Sequence, residues 1–138
     1  MRLFLVRDEE DIIESTLVNA LELHDIVMVV DDGSGDGTRQ KLDRLSKRFP
    51  QLIILDRTTQ IPDQTGHFAQ SPTTTWAMRF LQTHFKPKWI FCLDADEVLP
   101  FESRAAFRAY LKEYENSRLI RMPWKTAIPQ QTSPPPIR

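Results

Sequence analysis

Two carboxylates separated by one small residue, Asp94-Ala95-Asp96, follow the apolar run Trp89-Ile90-Phe91-Cys92-Leu93. In extended geometry alternate side chains share a face, so both carboxylates can address one site. Hard oxygen ligands of this kind suit Mg2+ or Mn2+, which take one or two protein carboxylates plus substrate phosphates. A pair of turn-forming or capping aspartates is the plainer reading of the same residues. A second acidic pair, Asp31-Asp32, ends the apolar run Ile26–Val30 and opens Gly33-Ser34-Gly35-Asp36-Gly37-Thr38. Carboxylates at the end of a buried strand must be solvated or bonded, because burying them unpaired is costly. They can accept hydrogen bonds from a nucleobase N–H or from ribose hydroxyls. A third group, Asp8-Glu9-Glu10-Asp11, follows Leu3-Phe4-Leu5-Val6.

Each acidic group follows a run readable as a buried strand. Apolar residues Ile12, Ile13, Leu17, Ala20 and Leu21 recur at helical spacing, predicting a helix over about residues 9–23. Its first turn would hold the acids, where the macrodipole favours negative charge, with Asp8 as a cap. A second helix follows the glycine-rich loop with Leu42, Leu45 and Phe49 facing in; Asp36 or Thr38 caps it and Pro50 stops it. Leu52–Leu55 predicts a third strand. Residues 57–72 read as a long loop, 73–85 as a helix, and 89–93 as a fourth strand. Another helix runs from Pro100 to about Tyr114, and Leu119–Met122 predicts a fifth strand. Alternation of this kind implies an α/β fold, with a mostly parallel sheet and helices on both faces. Such sheets bind ligands beyond the carboxyl ends of their strands. The fold would therefore gather all three acidic groups at one edge.

At these residues the chain resembles the family 2 glycosyltransferases, which have the Rossmann-like GT-A fold. Arg7-Asp8-Glu9-Glu10-Asp11-Ile12-Ile13-Glu14 resembles the family's N-terminal nucleotide-contacting segment. Asp31-Asp32-Gly33-Ser34-Gly35-Asp36-Gly37-Thr38 resembles its D-D-x-S-x-D-x-T signature, and Asp94-Ala95-Asp96 its D-x-D motif. The three occur in the family's order and spacing. The resemblance implies a nucleotide-diphosphate sugar donor bound by Asp8, Glu9, Asp31, Asp32, Ser34 and Asp94. It implies Mn2+ or Mg2+ at Asp94 and Asp96, and transfer to an acceptor with inversion. Arg79 is the nearest counterpart of an Ala-Arg-Asn-like element that approaches the diphosphate. The family's catalytic Asp lies well after the D-x-D motif, where this chain has only Glu102, Glu113 and Glu115. The resemblance covers about residues 2–100 and implies a nucleotide-sugar-binding domain over 1–122, expected to be a partial one. A proline-rich tail over 123–138 is expected to be disordered.

The remaining residues exclude more than they assign. The chain has 138 residues and 16.1 kDa, one domain by length. Its net charge of -1 gives no electrostatic case for nucleic acid. Residues 1–56 are net acidic and 57–138 net basic, either from solvated helix faces or from a metal-binding half beside one that meets an anion. Glycines at 33, 35 and 37 do not make a phosphate loop, and no Gly-Lys-Ser/Thr occurs. One cysteine, Cys92, rules out an intrachain disulfide and reads as a buried small hydrophobe. His24, His67 and His84 lack ligand spacing and read as surface residues; Trp76, Trp89 and Trp124 read as core. No apolar run is long enough to span a bilayer, and the expected compartment is the cytoplasm. A missing sheet edge would favour self-association. Two other readings stay open. One is a nucleotide-binding relic without turnover. The other is a phosphatase resembling the haloacid-dehalogenase family, whose D-x-D-x-(T/V) motif fits Asp94–Val98 but occurs near the start of that domain.

Overall fold

β-Branched and aliphatic runs form the strands. In the computed structural model, which describes residues 1–60, 70–120 and 122, β1 (Arg2–Val6), β2 (Val27–Asp31), β3 (Leu52–Asp56) and β4 (Phe91–Cys92) make one sheet. Its order is β3-β2-β1-β4 and every pairing is parallel. The helices are α1 (Ile13–Leu23), α2 (Thr38–Arg48), α3 (Arg57–Gln60), α4 (Gln70–Phe85) and α5 (Arg104–Glu113). This is the α/β arrangement expected from the alternation of apolar runs.

Period-two alternation along the strands separates two cores. Phe4, Val6, Val27 and Val29 pack with Ile13, Leu17, Ala20 and Leu21 of α1 and Leu42 and Leu45 of α2. Leu3, Met28 and Val30 face the opposite way and pack with Ala77 and Leu81 of α4. Helices thus cover both faces. A third cluster joins Leu23, Leu99 and Phe107, placing α5 against the end of α1. Arg104 locks that contact by donating to the carbonyls of Leu21, Glu22 and His24, orphan acceptors at the helix end.

Several elements differ from the sequence expectation. Helix α1 begins at Ile13 rather than residue 9, without a side-chain cap, after a turn in which the Glu9 carbonyl accepts from the Ile12 and Ile13 amides. Asp8 is not a cap; it sits at φ 53°, a left-handed conformation that Asp tolerates. The loop expected over 57–72 contains α3, and Pro72 lies in the first turn of α4, where proline is tolerated. Strand β4 is only two residues long, pairing Arg2 with Phe91 and Leu3 with Cys92. Leu119 and Ile120 are not in a strand. His24 is buried rather than exposed, its ring between Phe91 and Phe107. Cys92 is exposed rather than buried. His67, Trp124 and the proline-rich tail lie outside the described residues. Among the described residues no helix is long and apolar enough to cross a membrane.

Candidate functional site

Parallel strands place the segments after β1, β2 and β4 at one edge of the sheet. There the first two acidic segments interlock. The Asp8 amide donates to Ser34 Oγ at 3.0 Å, and the Gly35 amide donates back to Asp8 Oδ1 at 2.7 Å. The Glu9 amide donates to Thr38 Oγ1 at 2.9 Å and the Glu10 amide to Asp36 Oδ2 at 3.2 Å. Glu10 Oε2 accepts from the Gly37 amide at 3.1 Å, and Lys41 Nζ donates to the Glu10 carbonyl at 2.7 Å. A Cβ on Gly37 would lie 2.2 Å from a Glu10 carboxylate oxygen, so glycine is what permits this approach. Thr38 bonds hold the Asp36 carboxyl below its ordinary pKa.

The aspartates that end β2 are partnered from within the chain. Asp31 is buried, and its Oδ1 accepts from the Ser34 hydroxyl at 2.6 Å and the Ser34 amide at 3.2 Å. Arg39 Nη1 lies 3.8 Å from both Asp31 Oδ2 and Asp56 Oδ2, so one guanidinium serves the ends of two strands. Asp32 is buried too; Arg57 Nε donates to its Oδ1, and Arg7 Nη1 stands 3.7 Å from its Oδ2. That Oδ2 is a buried oxygen without a hydrogen bond. Arg7, Arg39 and Arg57 were not among the residues expected at the site. Their nearness in space to the β2 aspartates has no signature in spacing along the chain.

On the other side of β1 the third acidic segment is arranged differently. The Glu97 amide donates to the Asp94 carbonyl at 3.1 Å, closing a turn over 94–97 rather than the extended segment the alternation argument assumed. Glu97 Oε2 accepts from the Asp94 amide at 2.7 Å. Ala95, between the two aspartates, is buried. Asp94 and Asp96 are both exposed. Asp94 and Glu97 line a cavity of about 460 Å³ with Leu3, Leu5, Thr74, Thr75, Cys92 and Leu93. Asp96 stands outside that lining. Arg79 is exposed on α4 and does not line the cavity; Thr74 and Thr75, one helical turn earlier, do.

Asp8, Glu9, Asp31, Asp32 and Ser34 are therefore brought together, while Asp94 and Asp96 form a second group. The donor set of the second group can be tested against a divalent cation. Among the described residues no three His, Cys, Asp or Glu side chains converge as a metal cage. Two exposed carboxylates on a fixed turn instead match the way Mg2+ and Mn2+ are held when a substrate supplies the other oxygens. Asp94 and Asp96 fit such a metal as hard oxygen donors, and of the two Asp94 lines the cavity.

No protein-family model matches the chain, and no curated protein matches it in sequence. Its fold is similar to that of a solved structure, the mannosyltransferase PcManGT from Pyrobaculum calidifontis in complex with GDP-Man and Mn2+. The identity is 23% and the TM-score 0.58, over 78% of this chain and 30% of the other. The chain thus spans about a third of the length of that neighbour and shares its fold over that span.

Proposed function

We propose that the chain is the donor-binding part of a metal-dependent glycosyltransferase of the family 2 type. It would bind a nucleotide-diphosphate sugar at the carboxyl edge of the sheet, for transfer to an acceptor with inversion. The observation that carries this reading is the gathering of three acidic segments at that edge. It is supported by a fold shared with a protein whose structure holds GDP-Man and Mn2+.

In this reading the interlocked β1 and β2 segments form the nucleoside side of the site. Asp32 offers the carboxylate for the base, with Asp8, Glu9, Asp31 and Ser34 shaping the wall around it. Asp94 and Asp96 hold Mn2+ or Mg2+, which when bound neutralises charge developing on the leaving diphosphate. Asp94 and Glu97 accept hydroxyl hydrogen bonds at the cavity, and Leu3, Leu5 and Leu93 keep water from its wall. The base that inversion requires on the acceptor hydroxyl is assigned to no residue of this chain. That keeps a second reading alive, nucleotide binding without turnover, and the chain's span of 30% of the neighbour favours giving it a test. Pairing of copies through the β4 edge is part of the same proposal, checked by sedimentation.

The test is calorimetric titration of UDP and GDP with and without Mn2+, on the chain and on Asp96→Ala. Mn2+-dependent binding that the substitution removes is the expected result. No binding of either nucleotide overturns the reading. Release of nucleoside diphosphate from a nucleotide sugar then separates transfer or hydrolysis from binding alone.

A further inference from the structure

The turn that carries Asp94 and Asp96 is fastened from outside by two buried side chains. Thr16, on α1 and 4% exposed, donates through Oγ1 to the Ala95 carbonyl at 2.7 Å. Arg2, on β1 and fully buried, donates through Nη2 to the Glu97 carbonyl while its guanidinium lies over the Phe4 ring. Both acceptors are main-chain carbonyls within one four-residue turn. The helix and the strand that supply the donors are packed into the cores, so the turn inherits their rigidity. Ala95 is held down between them, and the aspartates on either side remain at the surface.

We propose that Thr16 and Arg2 are positioning residues that hold the 94–97 turn in a form ready for the cation. The proposal rests on the donor-site reading for its ligand, though the fastening itself does not. Carboxylates on a loose turn must be ordered when the ion arrives, and that ordering weakens binding. Groups that orient metal ligands without touching the metal characteristically change affinity by 10–100-fold when removed. Thr16 is the sharper probe, because Thr16→Val keeps the shape and removes only the hydroxyl. Thr16→Ser restores the donor, and Arg2→Met removes the other fastening.

Two readouts are needed. Amide hydrogen exchange at Glu97 follows the turn without any ligand, and it is expected to rise about tenfold in Thr16→Val and stay near the original rate in Thr16→Ser. Titration of Mn2+ with UDP or GDP follows the ion, and its affinity is expected to fall about tenfold in Thr16→Val. Metal-free nucleotide binding should be unchanged. A matched core variant, Leu45→Val, should move neither. Unchanged exchange at Glu97 overturns the proposal. So does faster exchange with unaltered Mn2+-dependent affinity, or an equal effect in Leu45→Val. If the original chain shows no Mn2+-dependent binding, the donor-site reading fails; faster exchange in Thr16→Val then still supports the fastening.

Discussion

The two acidic regions at the sheet edge contain the same side chains in opposite states. Around β2 the carboxylates are buried, paired with arginines and bonded across two loops. Around β4 the carboxylates of Asp94 and Asp96 are exposed, and the turn beneath them is held. A carboxylate that is already satisfied, as Asp31 is, contributes to the fold and shapes a wall, while Asp32 keeps one oxygen open. One that is unsatisfied and exposed is available to a cation. Acidic composition alone does not tell these apart; the difference is made by arginines that come from other elements.

Substitution can break this contrast. The largest effect is expected for Asp32→Ala, which removes the buried acceptor of the Arg57 hydrogen bond. Urea unfolding should show a loss of about 2 kcal/mol, the worth of a hydrogen bond between charged groups. Acid should act next, through a group outside both regions. Burial, with the Met1 ammonium, Arg2 and Arg104 nearby, lowers the His24 pKa to about 3. The unfolded chain takes up this proton from pH 6.5 downward, while the folded chain resists it until about pH 3. Stability therefore falls with pH across that window, by about 2 kcal/mol at pH 5. His24→Phe should flatten the dependence in thermal melts. The pKa values of Asp36 and Asp56, lowered chiefly by Thr38 and Thr58, add a further loss below pH 4.

A smaller effect is expected at Gly33, whose φ of 70° is left-handed. Gly33→Ala should cost about 1 kcal/mol, read from the urea midpoint. The smallest effect sharpens the contrast most. Asp94→Ala and Asp96→Ala should each leave stability within about 0.5 kcal/mol, as exposed substitutions do. Each should nevertheless remove Mn2+-dependent nucleotide binding in the same preparation.

Much of the fold was legible because strands announce themselves by composition. Leu3–Val6, Ile26–Val30 and Leu52–Leu55 fall within a residue of β1, β2 and β3. Fewer of the local details were. Acids suit a helix start at residue 9, yet the chain forms a turn there, closed by the Glu9 carbonyl, and α1 follows from Ile13. His24 looked polar enough for the surface, but three aromatic and arginine neighbours from β4 and α5 enclose it. The site's acids were visible from their position after strands. Arg39, Arg57, Thr16 and Arg2 were not, since a side chain that reaches a partner on another element, 8 to 95 residues away, leaves no local pattern.

The strand order has a consequence for how the chain acquires this site. Asp8 meets Ser34 across 26 residues, but the Met1 amine meets the Trp89 carbonyl across 88. Contacts between distant residues must overcome a larger loop-closure entropy before they reward it. The β1-β2-β3 unit, with its clasped loops, can therefore assemble while β4 is still free. The short β4 strand is expected to dock last, and with it the turn that Thr16 and Arg2 then fasten. Cation binding would then report on the final step of folding.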